Sequence, residues 1–279
     1  MRPRLPTRTE DLYFHHMVGT GGNSLAESLS QSTPKIPLLQ ITHGVNVGDP
    51  DVIRARRFRL HNLTGRQRQL FYGHNLYGLV ELAGFDASYF TILRNPFDRL
   101  VSDFFWLLQF KHTVNSLSAL DEFKSFVHQS HHLNFYIHHL GPLDYRNSQH
   151  FSLDECSSIE NDRAYEMAQN ALRNRFWFCG ITERFDESLF YIAHQLQIRT
   201  VHPWWLSRHP KTKFRPSYFD LSRALRTEIG EKQMHDWQLY DDARNNFEQS
   251  WDSLVNGPSK QEHPLPEFFA YHAKANPLR

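Results

Sequence analysis

Cysteine is scarce in this 279-residue chain: only Cys156 and Cys179 occur, and the second lies within an apolar stretch. Two thiols cannot build a disulfide scaffold, and nothing about them demands an oxidising compartment. Long apolar runs are missing as well. No segment approaches the roughly 18 residues that a membrane span needs, and the opening MRPRLPTRTE has no signal-peptide core. Charge of one sign is not in excess: the formal net charge is +1, which leaves no global field to recruit a polyanion. The chain also shows no internal repeat. Aromatic residues, by contrast, make up 14% of it, with 22 phenylalanines, and hydrophobic residues 40%. That composition argues against disorder and predicts one core that removes roughly three quarters of the unfolded surface from water. A single α/β domain over residues 1–256 suffices, and the proline-rich, polar stretch 257–279 is expected to be a partly ordered tail.

The segment Tyr89 to Ser102, YFTILRNPFDRLVS, predicts a buried strand through Leu93, a turn, and a helix capped by Asn95, with Pro96 at its first position and Asp98 in its first turn. On that helix Phe97, Leu100, Val101, Phe104, Phe105 and Leu108 share an apolar face, while Asn95, Asp98 and Ser102 recur on another. Arg94 and Ser102 thereby share a polar edge. A guanidinium beside a hydroxyl at a helix start, with open backbone amides, is what a phosphate group requires. The plain alternative is that Arg94 pairs with Asp98 and closes the turn.

Nearer the N-terminus, DLYFHHM (Asp11 to Met17) predicts a first strand, and VGTGGNSLAESLS a loop opening into a helix. Gly19, Gly21 and Gly22 permit a backbone that turns successive amides inward, and Asn23 or Ser24 is expected to cap the helix behind them. The loop is a candidate anion cradle, or else a simple connection. It is not the GxxxxGK[ST] nucleotide loop, because no lysine precedes Ser24.

Further strands are predicted at Leu38 to Ile41, Gln69 to Asn75 and Trp177 to Ile181. A helical stretch is expected from Ser118 to Leu140, a helix from Asp162 to Asn174, and two closing helices near Leu221 to Ile229 and Gln233 to Trp251. Strands alternating with helices predict a mainly parallel sheet with helices on both faces and a ligand crevice at the carboxyl ends of the strands. Both candidate anion loops fall at such ends.

Eighteen histidines make position the only selector for a general base. His74, in FYGHN, follows a predicted strand and leads toward the arginine strand, and an imidazole titrates close to the working pH. Its alternatives are a strand cap or a core hydrogen bond. His16 is the next candidate, and a candidate substrate contact as well. His131, His132, His138 and His139 fall in two pairs at i and i+7, but no nearby carboxylate or cysteine completes a set, so no metal is expected. The run Val52 to Gln69 carries Arg54, Arg56, Arg57, Arg59, Arg66 and Arg68 without an acid. Such a run would guide an acidic sugar chain, with Arg54 and Arg57 as contacts, or form a solvated face. Phe58 is its only aromatic, which argues against a single-stranded nucleic-acid platform. Glu183 would orient Arg184 or a substrate hydroxyl, or pair at a strand end. Trp204 and Trp205, beside His202 and His209, would stack on a sugar or on adenine, or pack in the core.

The two anion segments together resemble the cofactor motifs of sulfotransferases that use 3'-phosphoadenosine 5'-phosphosulfate (PAPS), above all the carbohydrate group that includes the heparan sulfate 2-O- and 6-O-sulfotransferases and bacterial relatives. Phe14, His16, Thr20, Gly21, Gly22, Ser24 and Leu25 match the pattern FxHxPKTGGTSL; Arg94, Pro96, Arg99, Ser102 and Phe104 match RDPxxRxxSxY/F, with Asn95 for its aspartate. FWFCGITERFDESL, from Phe176, looks like a later strand and helix of the family, and MHDWQLYDDARNNF, from Met234, like its closing helix with a D..LY pattern. The likeness spans about residues 11 to 250 and implies a P-loop-like three-layer fold. It also implies that Thr20, Gly21, Gly22, Asn23 and Ser24 hold the 5'-phosphosulfate and that Arg94 and Ser102 hold the 3'-phosphate. Lys211, Lys213 and Arg215 would close over the nucleotide. Gly73, His74 and Tyr77 resemble a segment that carries the catalytic histidine of the uronyl 2-O enzymes. The implied reaction is sulfuryl transfer to a carbohydrate hydroxyl, leaving the desulfated nucleotide (PAP), without a metal. The acceptor would be a polysaccharide, acidic in one reading, and a cytoplasmic bacterial protein or a soluble piece of a Golgi-lumen enzyme is expected. Gly19 departs from the pattern, standing where the family has lysine. Either another cation such as Lys211, Lys213 or a histidine substitutes, or the chain binds without turnover, or the position was altered by engineering. Transfer to a tyrosine or a small molecule is a further alternative.

Overall fold

The computed structural model describes residues 5–7, 10–32, 36–40, 68–74, 87–108, 116–128, 133–141, 160–201 and 218–257. Arg54, Arg57, Tyr77, His131, His132, Cys156, Trp204, Trp205, Lys211, Lys213, Arg215 and the tail from 258 lie outside them.

Five strands form one sheet: β1 (Leu12–His15), β2 (Leu38–Gln40), β3 (Leu70–Gly73), β4 (Ser88–Leu93) and β5 (Phe176–Ile181). Their order is β2-β3-β1-β4-β5, and every pair is parallel. β1 is buried at all four positions, as a central parallel strand covered on both faces must be. The chain runs outward from β1 to β2, returns through β3, then crosses β1 to continue with β4 and β5. The carboxyl ends of β3, β1 and β4 therefore form the topological switch where α/β sheets bind ligands.

The flanking helices are α1 (Gly22–Ser30), α2 (Pro96–Leu108), α3 (Ser116–Val127), α4 (Phe135–Leu140), α5 (Asn161–Asn174), α6 (Phe185–Gln195), α7 (Arg223–Lys232) and α8 (Met234–Asn256). The α/β architecture with a central parallel sheet is thus as expected. Where one helix is anticipated over Ser118 to Leu140, α3 ends at Val127 and α4 begins at Phe135, with Asn134 ahead of α4 in a left-handed conformation (φ 52°). Asn95 caps α2 as its sequence demands: its Oδ1 accepts from the amides of Phe97 (3.0 Å) and Asp98 (3.2 Å).

The main core joins the sheet to α1, α4, α5, α6 and α8, and a second aromatic cluster packs Phe97 and Phe104 of α2 against Phe123 and Phe126 of α3 and Leu225 and Ile229 of α7. Arg68 leaves the supposed surface run for the interior, where its guanidinium donates to the carbonyls of Leu196 (3.3 Å) and Thr7. It ties chain segments together and does not form part of a solvated face. No helix among the described residues is long and apolar enough to cross a membrane.

Candidate functional site

β1 ends at His15, and the loop behind it turns back on itself through two left-handed glycines, Gly19 (φ 81°) and Gly21 (φ 82°). Gly21 occupies the cap position of α1 and no side chain caps that helix, so the expectation that Asn23 or Ser24 would do so is corrected. The start of α1 therefore carries no side-chain cap, an arrangement that favours an anion. Within the loop the Thr20 hydroxyl donates to the Met17 carbonyl (2.9 Å) and is fully buried. The Thr20 side chain holds the turn and does not face outward. Asn23 is exposed, Ser24 buried.

Only glycine fits at position 22. A Cβ there would stand 1.9 Å from Cδ2 of His16, whose buried ring lies beneath the loop, stacked with Phe14 and Tyr72. Position 19 is restricted for a different reason. Besides its positive φ, a Cβ there would meet the Arg99 carbonyl at 3.2 Å, Cγ of Arg99 at 3.3 Å and Cβ of Ser102 at 3.5 Å. The glycine loop is therefore pressed against α2 beside Ser102.

Arg94 completes the junction. One Nη1 hydrogen bonds the Gly19 carbonyl at 3.1 Å, so the guanidinium leans over the glycine loop and not toward Asp98. A guanidinium has five N–H donors, and this bond uses one of them. The backbone of Arg94 is held at both ends by one phenol: its N–H donates to Tyr136 Oη (3.0 Å), and that hydroxyl donates to the Arg94 carbonyl (2.7 Å). The next amide, of Asn95, donates to Glu183 Oε1 (2.9 Å), and Tyr240 donates to Glu183 Oε2 (3.0 Å). Glu183 therefore braces the turn, while Arg184 pairs with Glu187 and Glu248. The Thr182 hydroxyl shares its proton between the carbonyls of Thr20 (2.7 Å) and Leu93 (3.0 Å), pinning the loop to the end of β4.

On the other side of β1, His74 follows β3 with an exposed ring edge. Its Nδ1 lies 2.9 Å from the His16 carbonyl, and the two rings are 4.1 Å apart. A carbonyl only accepts, so Nδ1 carries the hydrogen and Nε2 keeps its lone pair. Desolvation lowers the His74 pKa, opposed in part by the His16 carbonyl and by the Asp103 carboxylate, which favours the neutral base near neutrality.

Behind His74 lies a histidine cluster that sequence reading did not single out for this role. His15 is buried with neither ring nitrogen partnered among the described residues, and burial, aided by His139 and His74, pulls its pKa down to about 3. His139 is brought down to about 3 chiefly by burial, and its Nδ1 donates to the Phe135 carbonyl at 2.8 Å. His16 is also driven well down by burial, with His74 and His15 adding to the effect. No group of three or more histidine, cysteine or acidic residues among the described residues is arranged to hold a metal ion. Cys179 of β5 is a half-buried free thiol whose pKa burial pushes up to about 12, so it is no nucleophile.

No protein-family model and no curated protein matches this chain. Among solved structures, a sulfotransferase from Alicyclobacillus acidocaldarius is similar at 15% sequence identity, over 92% of this chain and 96% of that one, with a TM-score of 0.44. A likeness at that level leaves function to be read from the site itself.

Proposed function

We propose that the chain is a sulfotransferase that moves the sulfuryl group of PAPS to a hydroxyl of a carbohydrate acceptor. The observation that carries this reading is the meeting of two anion-binding segments at one switch point: Arg94 is bonded to Gly19, and Ser102 lies beside the same glycine. A doubly phosphorylated adenosine needs two anion sites close together, and in this reading the two segments that meet at Gly19 provide them.

The residues fit such a donor. The backbone at the start of α1, from Gly22 to Ser24, would receive the 5'-phosphosulfate, and the N–H groups of Arg94 with the Ser102 hydroxyl the 3'-phosphate. When bound, the donor supplies an activated sulfuryl group with a phosphate as its leaving group. His74 Nε2, neutral and oriented by the His16 carbonyl, takes the proton of the attacking hydroxyl. The Asp103 carboxylate, whose charge raises the His74 pKa, favours the imidazolium that results. His16 shapes the floor under the loop. Arg54 and Arg57 would contact the acceptor and Lys211, Lys213 and Arg215 would close over the nucleotide. The absence of lysine at position 19 is met in this reading by Arg94, which brings positive charge to the same loop. A second reading, nucleotide binding without transfer, rests on that same glycine.

Incubation with sulfur-labelled PAPS and a panel of uronate-containing glycans, tyrosine peptides and simple phenols tests the reading. Transfer to a glycan is expected, with His74→Ala lowering turnover roughly 100-fold to 10,000-fold while PAP binding persists. Binding of PAP with no transfer to any acceptor would favour the second reading, and no binding at all would end both.

A further inference from the structure

The C-terminal helix α8 reaches the Arg94–Asn95 turn through two hydrogen-bonded chains that begin four residues apart on one helix face. In the first, the Asp236 carboxylate accepts from the amides of Tyr136 (3.0 and 3.1 Å) and Ile137 (3.1 Å), fixing the start of α4. The Tyr136 hydroxyl then clasps both the N–H and the carbonyl of Arg94. In the second, Tyr240 donates to Glu183, which accepts the Asn95 amide. Asp236 and Tyr136 are fully buried and Tyr240 nearly so, which shields the Asp236 end of the first chain from competing water, while the Glu183–Asn95 bond of the second is exposed. Burial raises the pKa of both phenols, so each remains a donor at any working pH.

The arrangement has a consequence for recognition. Arg94 lies on the turn between β4 and α2, and a guanidinium selects an anion by the direction of its fork. Its side-chain bond to Gly19 fixes one N–H direction only if the backbone from which it projects is also fixed. Tyr136 and Glu183 supply that backbone restraint from elements remote in sequence.

We propose that α8 is a brace for the Arg94 fork, with Tyr136 as the principal positioning residue, Glu183 and Tyr240 as a second arm, and Asp236 as the anchor of the first. The ligand group they serve is the 3'-phosphate of the nucleotide, so the inference rests on the proposed function. The brace makes anion selection at the sheet edge depend on residues that touch no ligand.

Titration calorimetry with PAP and with adenosine 5'-phosphate, which lacks the 3'-phosphate, tests this on the full chain. Wild-type protein should prefer PAP. Tyr136→Phe keeps the ring and its packing while removing both Arg94 bonds, and should reduce the preference about tenfold, the loss expected for a misdirected charged hydrogen bond. Tyr240→Phe, which spares Tyr136, should reduce it less and serves as the second variant. A purely structural role would weaken both nucleotides alike, and that result would overturn the brace. So would full retention of the preference in both variants. If wild-type protein itself shows no preference for PAP, the proposed function fails first and takes the brace with it.

Discussion

Burial of His15 gives the protein a pH-dependent weakness whose size follows from the structure. In the unfolded chain a histidine titrates near 6.5, whereas in the fold His15 is held neutral down to about 3. As pH falls below 6.5 the unfolded chain takes up a proton that the folded chain refuses, so stability is lost between those two values. Between about pH 7.5 and about pH 5 the loss is roughly 1.4 kcal/mol per unit over 1.5 units, or about 2 kcal/mol, and it does not depend on how far below 5 the folded pKa lies. His16 and His139 act in the same direction. Asp236, raised to about 6 by burial, acts oppositely, because the folded state then binds its proton first as pH falls. Comparing wild type with His15→Phe removes these common contributions. Phenylalanine suits a site lined by Tyr13 and Phe176, and it replaces two ring nitrogens that have no partner among the described residues. Urea denaturation followed by tryptophan fluorescence should find the variant at least as stable as wild type at about pH 7.5, and about 2 kcal/mol less sensitive to acid at about pH 5. Stability curves for the two proteins that run parallel across this range would refute the burial argument.

Gly22→Ala should destabilise the chain by about 2 kcal/mol or more in the same urea assay, since the new methyl meets a ring packed against Phe14, Tyr72 and His74; a neutral result would mean that His16 does not sit under the loop. Gly19→Lys, which restores the residue of the resembling family, should fail to raise turnover and cost about 1–2 kcal/mol of stability for its left-handed backbone. A gain in turnover on PAPS would overturn that expectation.

Local chemistry made much of the fold legible. Alternating apolar strands and helices gave the parallel sheet, and Asn95 with Pro96 marked the start of α2 within a residue. What escaped was set by tertiary contact. Asn134 takes a left-handed backbone at the start of α4, where the sequence predicts a continuous helix. Arg68 leaves a basic run because the Leu196 carbonyl, 128 positions away, offers it a buried acceptor. Tyr136 clasps Arg94 across 42 positions, and nothing in the residues around either one foretells the pairing. Asp236 and Tyr240 carried a weak signal as the D and Y of the closing-helix pattern, but the pattern gave no hint that one reaches α4 and the other Glu183.

Gly19 shows why the site cannot be understood one motif at a time. Read alone, glycine where the resembling pattern has lysine leaves the loop one cation short of that pattern. In the fold, position 19 has a positive φ and is wedged against Arg99 and Ser102, so a side chain at that point is opposed by both backbone and packing. The carbonyl that this conformation exposes is the acceptor for Arg94. A glycine therefore draws the arginine of the second segment onto the first, and the positive charge reaches the loop from α2's own turn. The contact ties the second segment to the first, and the turn that carries Arg94 is held by α4, Glu183 and the C-terminal helix.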